Sequence, residues 1–585
     1  MKVEIIKVNQ KRINGKPNLQ NYAKVAKNFK WDSVKKEIAW FDDGKLNAAY
    51  NAIDKHVPIW EKNKVALYWE NEEGKKKEYS FLDISERSNK LANVLKDLGV
   101  KKGDRCFIFL PRIPELYISF IGILKTGAIA GTMFSAFGPD GIKDRLGDSE
   151  AKVLITDSLL VDRLYEVAKD LPALEYVIIV NKTGKKLNEK KFKFKEIDYH
   201  ASVDNASDKF KIAHMKPKDP AFMLYTSGTT GKPKGVVHGH LAVLTEHMTA
   251  KWVLDIKPED VYWCTADPGW VTGIAYEILG TWSNGASSVI YEGRFDASRW
   301  YKIIQDKKVT IWYTAPTAIR LLAAAGNVYK KYDLSTLRHL CSVGEPLNPE
   351  PIRWGMKALK LPFHDNYWQT ESGGMLVANY PCMDIKLGSM GRPIPGINAQ
   401  IIDDKGKILK NNQIGNVAIK PGWPSMMLKI WKNKKKYNSY FHNGWYITGD
   451  LGYMDKDGYL WFIGRADDVI KTSGERVGPF EVESALIEHP SVIESGVIGK
   501  PDPEGIRGEI IKAFVVLKPG IIGSKQLEDE LKNLVKKKLA GHAYPREIAF
   551  VDKLPKTRSG KIMRRMLKAK ELGLPIGDTS TLEND

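Results

Sequence analysis

Short apolar runs alternate with helix-type segments through the first two thirds of this chain, and that alternation restricts the possible folds more than any other feature. Cys106–Leu110, Ala128–Met133, Val153–Thr156 and Tyr176–Val180 read as buried strands, with Glu115–Lys125 as a helix between the first two. Such a pattern predicts α/β architecture with largely parallel sheets. Near Gly464–Asp468 the pattern changes. Val482–Glu488 and Leu527–Leu539 then read as helices, and Ile493–Gly499, Ile511–Val516 and Ile548–Val551 as strands. That is a compact α+β unit of roughly 115 residues, enough to fold as a small domain. The 585 residues also exceed the roughly 250–300 at which one core stops growing. The expected fold is α/β, a large N-terminal domain of parallel or mixed sheets with packed helices, followed by a small α+β C-terminal domain.

Composition narrows the class. An apolar content of 43% and 16 Trp residues fit a packed globular protein. Cys106, Cys264, Cys341 and Cys382 form no C-x-x-C pair, which gives no zinc or redox motif and fits a reducing, cytoplasmic setting. The start of the chain has no apolar signal region, and the apolar stretch Leu116–Phe134 contains Lys125 and three glycines. It reads as a buried helix entering a strand, so no membrane partner is expected. The net charge is +20, of which the segment from Asp468 onward carries +2. The remainder is scattered, with lysine runs at 185–195 and 432–436. Neither run is interleaved with stacking aromatics, so they read as solvated faces and not as a nucleic-acid interface. The excess charge still favours polyanionic small molecules.

The strand-type Ala221–Leu224 leads into Tyr225-Thr-Ser-Gly-Thr-Thr-Gly-Lys-Pro-Lys-Gly235. Glycines free the backbone to turn its N–H groups inward, while the hydroxyls of Thr226, Ser227, Thr229 and Thr230 and the ammonium groups of Lys232 and Lys234 add donors and charge. This suits a polyphosphate held on a mobile loop, with Gly228 and Gly231 at the bends. The spacing is not that of the P-loop. A solvated Ser/Thr/Gly loop is the plain alternative.

Three more segments are dense in polar groups after apolar runs: Ser342–Pro346, His364–Gly374 and Trp445–Asp450, the last a strand expected to end on its acid. Each alone could be a turn or a structural cluster. Together with 225–236, 265–273 (TADPGWVTG), 464–483 (GRADDVIKTSGERVGPFEVE) and 555–565 (PKTRSGKIMRR), they resemble the AMP-forming acyl-CoA synthetases of the adenylate-forming superfamily, and within it those that act on acetate. The resemblance runs from about residue 40 to about residue 570 of the printed sequence.

The resemblance implies a two-step reaction using ATP, Mg²⁺ and coenzyme A: a carboxylate joins the α-phosphate of ATP, then the acyl group passes to the coenzyme A thiol. It implies that Thr226–Lys234 grips the β- and γ-phosphates and that Glu371 holds Mg²⁺. Asp450 would accept the ribose hydroxyls, with Arg465 as its partner. Gly344, Glu345 and Pro346 would lie along the adenine, Tyr367 would stack on it, and Asp365, Asn366, Trp368, Gln369 and Thr370 would complete the nucleotide wall. Lys561 would bridge the attacking carboxylate and the α-phosphate, with Arg476 nearby. Val271, Thr272, Val343 and Trp368 would wall the acyl pocket, and Thr272, Ser473 and Gly474 would meet the pantetheine arm. Asp467 would be the hinge between a large domain of residues 1–466 and a small mobile domain of residues 467–585. Lys561 would also be open to a lysine acetyltransferase or deacetylase.

Two departures stand out. The family's DTWWQTETGG is here Asp365-Asn-Tyr-Trp-Gln-Thr-Glu-Ser-Gly-Gly374, and Glu475 replaces a histidine. Acetate is the expected acid, with propionate or 3-hydroxypropionate as the alternative, since one methylene is worth only about 1–3 kcal/mol of discrimination. A carrier-protein thiol as acceptor and a basic nucleic-acid-binding protein are the other readings.

Overall fold

The computed structural model describes residues 3–8, 16–184, 192–228, 231–472, 475–506, 508–539, 543–557, 561–576 and 582. Among the described residues the large domain contains an eight-stranded, a nine-stranded and a five-stranded sheet, and a three-stranded sheet follows toward the C-terminus. In the first sheet, Ile129–Thr132, Arg105–Phe109, Val153–Asp157, Tyr176–Val180 and Lys195–Asp198 run parallel in that spatial order. The crossover helix Pro114–Thr126 is buried from Pro114 through Lys125, so it needs apolar residues on nearly every side. Proline at its start and Gly127 in the left-handed conformation (φ 81°) fix its two ends.

The glycine-rich run departs from the expected mobile loop. Pro220–Gly228 and Gly231–Gly239 pair antiparallel, with Lys234 opposite Thr226 and Val236 opposite Leu224. The apolar pairs in the sheet interior carry the ladder outward, so the run is two strands of a hairpin. Thr229 and Thr230 lie outside the described residues.

In the second sheet, Val65–Asn71, Ser287–Glu292, Val261–Cys264, Ile311–Thr314, His339–Ser342 and Phe363–Tyr367 are parallel. Their carboxyl ends therefore share one edge, from which the segments at 265–273, 343–346 and 368–374 emerge. Ligands of open α/β sheets collect at such an edge. In the third sheet Trp445–Met454 runs on through Asp450, which pairs with Arg465 on Leu460–Arg465. Asp450 is thus inside a strand and not at its end: Leu451 and Gly452 keep pairing with Leu460–Arg465 beyond it.

The small domain has strands Val492–Pro501, Glu509–Leu517 and Glu547–Phe550 and helices Pro479–Ile487, Lys525–Lys538 and Arg564–Leu572. Val482, Leu486, Val497, Ile511, Val515 and Leu531 form a core of its own. Among the described residues no helix is long and apolar enough to cross a membrane.

Candidate active site

The base of the hairpin meets the second sheet through three side chains. Lys234 Nζ lies 3.2 Å from Glu371 Oε1 and bonds the Tyr440 hydroxyl, which itself donates to Glu371 Oε1 at 2.7 Å. Burial raises the proton affinity of Glu371, but the Lys234 charge and the Tyr440 hydroxyl outweigh it and hold the carboxyl below its ordinary value. An ionised carboxylate is kept in a buried place with both contacts on one oxygen. Thr226 Oγ1, opposite Lys234, is buried with no hydrogen-bond partner among the described residues. Gly373, at the end of the short helix Thr370–Ser372, has φ 65°. A Cβ there would stand 2.3 Å from Ser425 O, so the close approach that positions Glu371 requires glycine.

Asp450 is the centre of a second network. Its Oδ2 accepts from Tyr367 Oη at 2.5 Å and from Gln369 Nε2 at 2.8 Å. Gln369 Nε2 also donates to Thr448 O, and its Oε1 accepts from Tyr446 Oη at 2.8 Å. Burial pushes the Asp450 carboxyl up, while Arg465, Tyr367, Lys561 and Gln369 oppose the shift. Both bonds fall on Oδ2, so the other oxygen is clear of them. Asn366 is committed elsewhere, accepting from Tyr313 Oη at 2.7 Å and donating to Ser342 O at 2.9 Å. Asp365 is buried, its Oδ1 lacks a partner among the described residues, and burial pushes its carboxyl well above the usual range. Gly344 takes φ 96°, a left-handed conformation that makes the Ser342–Pro346 turn possible. Glu345 accepts from Thr317 Oγ1 at 2.7 Å and from Arg320 Nη2 at 2.9 Å.

An apolar wall closes the edge between these networks. Val271 and Val343 belong to the large core, and Trp368 packs against it. Thr272 immediately precedes a π-helical segment, Gly273–Leu279, a geometry often found at functional sites. Its Tyr276 meets Trp368 edge-on, with ring centroids 5.0 Å apart at 86°. Tyr276 Oη accepts from Met375 N at 2.7 Å and contacts Thr249 Oγ1 at 2.8 Å, so it cannot easily rotate away.

The small domain brings Lys561 to the same place. The lysine sits on a turn in which Lys556 bridges to Ile562 and Thr557 N donates to Lys561 O at 2.8 Å. Enclosure between the domains lowers the proton affinity of the Lys561 amine, as do Arg465 and Arg564, with Asp450 and Asp468 opposing. The side chain keeps an exposed surface, so cleft water screens part of this effect. Asp467 lies in the turn just after Leu460–Arg465 and accepts from Arg465 Nε at 3.3 Å. Between the domains, Asn348 Nδ2 donates to Ser484 Oγ at 3.0 Å.

The structure thus gathers Thr226, Lys234, Glu371, Tyr367, Trp368, Gln369, Asp450, Arg465 and Lys561 at the joint edge of the sheets. The side chains of Ser227, Lys232 and Arg476, and all of Ser473 and Gly474, lie outside the described residues. Tyr440, Tyr446 and Arg320 escaped the sequence reading. An aromatic inside Tyr437–Tyr446 carries no spacing that distinguishes a hydroxyl serving Glu371 from ordinary core.

Known proteins match along the same lines. The model of the AMP-binding enzyme family matches residues 55–431, and that of the AMP-binding enzyme C-terminal domain matches residues 481–561. The chain is 54% identical to an acetyl-coenzyme A synthetase of Bacillus subtilis over 98% of this chain and 99% of that one. It is 43% identical to an acetyl-coenzyme A synthetase of Methanothrix thermoacetophila over 93% and 86% of the two chains. Among solved structures, a Brucella canis acyl-CoA synthetase aligns with TM-score 0.74 at 37% identity, covering 95% of this chain and 99% of that chain. The anthranilate CoA ligase AuaEII in complex with anthranoyl-AMP aligns with TM-score 0.82 at 32% identity, covering 90% and 97%. Two sheets sharing one polar edge, a lysine delivered from the small domain, and these full-length matches have one meaning: the chain belongs to the AMP-binding enzyme family, alongside its acetyl-coenzyme A synthetases.

Proposed function

We propose that this chain activates acetate with ATP as acetyl-adenylate and passes the acetyl group to coenzyme A. In the first step a carboxylate oxygen forms a bond to the α-phosphorus and the bond to pyrophosphate breaks. In the second, the coenzyme A sulfur bonds to the acyl carbon and AMP leaves. The observation that carries this reading is Lys561 of the small domain standing within electrostatic reach of Asp450 and Arg465. A lysine there can neutralise charge between an attacking carboxylate and a phosphate, which a poor nucleophile facing a polyanion needs.

The other roles are those the family resemblance implies. Thr226 and Lys234, with Ser227, Gly228, Thr229, Thr230, Gly231 and Lys232 between them in sequence, grip the phosphates that leave. The free oxygen of Asp450 receives ribose hydroxyls, and Tyr367 presents its ring to the adenine beside Gly344–Pro346. Glu371 suits Mg²⁺: its carboxylate is held ionised with Lys234 and Tyr440 both on Oε1, and Mg²⁺ binds through one or two carboxylates plus substrate phosphates and water. When bound, the ion supplies further charge neutralisation. Trp368, Val271, Thr272 and Val343 form a short acyl pocket. Asp467 divides residues 1–466 from 467–585 and serves as the hinge, while Thr272, Ser473, Gly474 and Arg476 meet the later reactants. The partners are small molecules in the cytoplasm. Acetylation of Lys561 by a lysine acetyltransferase would remove its charge and stop the first step.

Acid-dependent exchange of labelled pyrophosphate into ATP tests the reading. Exchange with acetate, weaker with propionate and 3-hydroxypropionate, is expected; no exchange with any short acid would overturn it.

A further inference from the structure

We propose that the contact between Arg320 and Glu494 is a positioning device, which seats the Lys561 turn over the nucleotide cleft for the first half-reaction; the proposal rests on the acyl-adenylate reading above. The contact is the middle link of a chain of charges that passes from one domain into the other. In the large domain, Arg320 on helix Pro316–Ala324 donates through Nη2 to Glu345 Oε2 at 2.9 Å and to Thr317 Oγ1 at 2.8 Å. Glu345 belongs to the turn expected along the adenine. Toward the small domain, the same Nη2 lies 3.9 Å from Glu494 Oε1 on Val492–Pro501. The carboxylate of Glu494 takes Lys556 Nζ at 2.6 Å on Oε1 and 2.5 Å on Oε2. Lys556 pairs with Ile562 across the turn that presents Lys561. Adenine turn and lysine turn are therefore joined by four side chains.

All four are largely withdrawn from water, with side-chain exposures of 9% for Glu345, 10% for Arg320, 8% for Glu494 and 15% for Lys556. Charges so enclosed are costly unless paired. The links are unequal in a telling way. Those inside each domain are 2.5–2.9 Å long, and the link between domains is 3.9 Å. If the domains part, Arg320 keeps Glu345 and Glu494 keeps Lys556, so no charge is left without a partner. A contact with strong ends and a long middle is cheap to break and specific when made. That suits a site in which one lysine must be seated for adenylation and is not needed for thioester formation.

Both half-reactions of the full chain test this. Glu494→Gln is expected to lower acetate-dependent pyrophosphate exchange about ten-fold, a barrier change of about 1.4 kcal/mol. Conversion of supplied acetyl-adenylate and coenzyme A to acetyl-CoA should stay within about two-fold, and KM for ATP should change little. Arg320→Lys, which keeps the charge, is expected to lose less exchange. Equal loss of both half-reactions would mark the contact as merely structural and overturn the proposal, as would full exchange in both variants. If the unmodified chain shows no acid-dependent exchange, the functional reading itself fails; if it exchanges and the variants match it, this proposal alone fails.

Discussion

Around Asp450 the large domain holds its polar groups through short hydrogen bonds from neighbouring strands, with Tyr367 and Gln369 on one carboxylate oxygen and Tyr446 and Thr448 behind Gln369. The turn that carries Lys561 is instead tied by ion pairs: Lys556 to Glu494, and Arg564 to Glu483 at 2.5 Å. The first arrangement has its partners inside one packed domain and is set before any ligand arrives. The second meets the site across a boundary, where Glu494 and Arg320 stand 3.9 Å apart. Preorganised dipoles suit binding that must be the same in both steps, whereas a charge needed once is better carried on a separable body. Lys561→Ala separates the two regions most sharply. It should lower pyrophosphate exchange roughly 10²–10³-fold, the size seen when one preorganised donor is removed, while supplied acetyl-adenylate is still converted. Loss of both half-reactions together would erase the distinction.

The same contrast governs how much could be read in advance. Strands such as Tyr176–Val180 announce themselves because both faces are buried, leaving a continuous apolar run, and the structure places that strand at the same residues. The helix expected at Glu115–Lys125 extends by one residue at each end, beginning on Pro114 and ending at Thr126 before the left-handed Gly127. Lys234 stood out in its run of glycines, hydroxyls and lysines, whereas Glu371, Asp450 and Lys561 were reached only through the resemblance of the segments that carry them. What the sequence could not tell is which neutral residue serves them. Tyr440 reaches Glu371 from 69 positions away in the chain, and Gln369, expected only on the nucleotide wall, reaches Asp450 from 81; no spacing rule reaches that far. The hairpin at Pro220–Gly239 misled for the opposite reason. Its glycines and hydroxyls look like loop chemistry, yet ladder pairing with a buried strand overrides local propensity.

A change in the proposed acyl wall sharpens the comparison inside the large domain. Trp368 is braced by Tyr276, whose hydroxyl is pinned by Met375 N and Thr249, so the position of the indole is set by packing and not by any mobile group. Trp368→Gly should shift preference toward longer acids. The ratio of kcat/KM for propionate over acetate should rise by roughly 10–200-fold, the range expected for one methylene that a wall excludes or admits. Exchange with acetate should fall less than in Lys561→Ala, because no charged group is lost. An unchanged chain-length profile would remove Trp368 from the pocket.

The smallest effect concerns stability, and it too should differ between the domains. Burial lowers the imidazoles of His238 and His247 to about 4 and those of His240 and His339 to about 3. All four lie in the large domain, whereas the segment from Asp468 onward contains His489 and His542 alone. In the unfolded chain these groups titrate near 6.5. Below that pH the unfolded state takes up protons that the folded state refuses, so stability is present above about 6.5 and falls as the pH drops toward 4. Each such histidine contributes a slope of up to about 1.4 kcal/mol per pH unit. Every one of the 16 Trp residues precedes Asp467, so tryptophan fluorescence reports the large domain by itself. Its melting midpoint should fall progressively between pH 6.5 and 5, and His240→Asn should flatten that fall. A midpoint constant over this range would mean that water reaches these imidazoles, and that the large domain is no more tightly sealed than the ion-paired turn it works with.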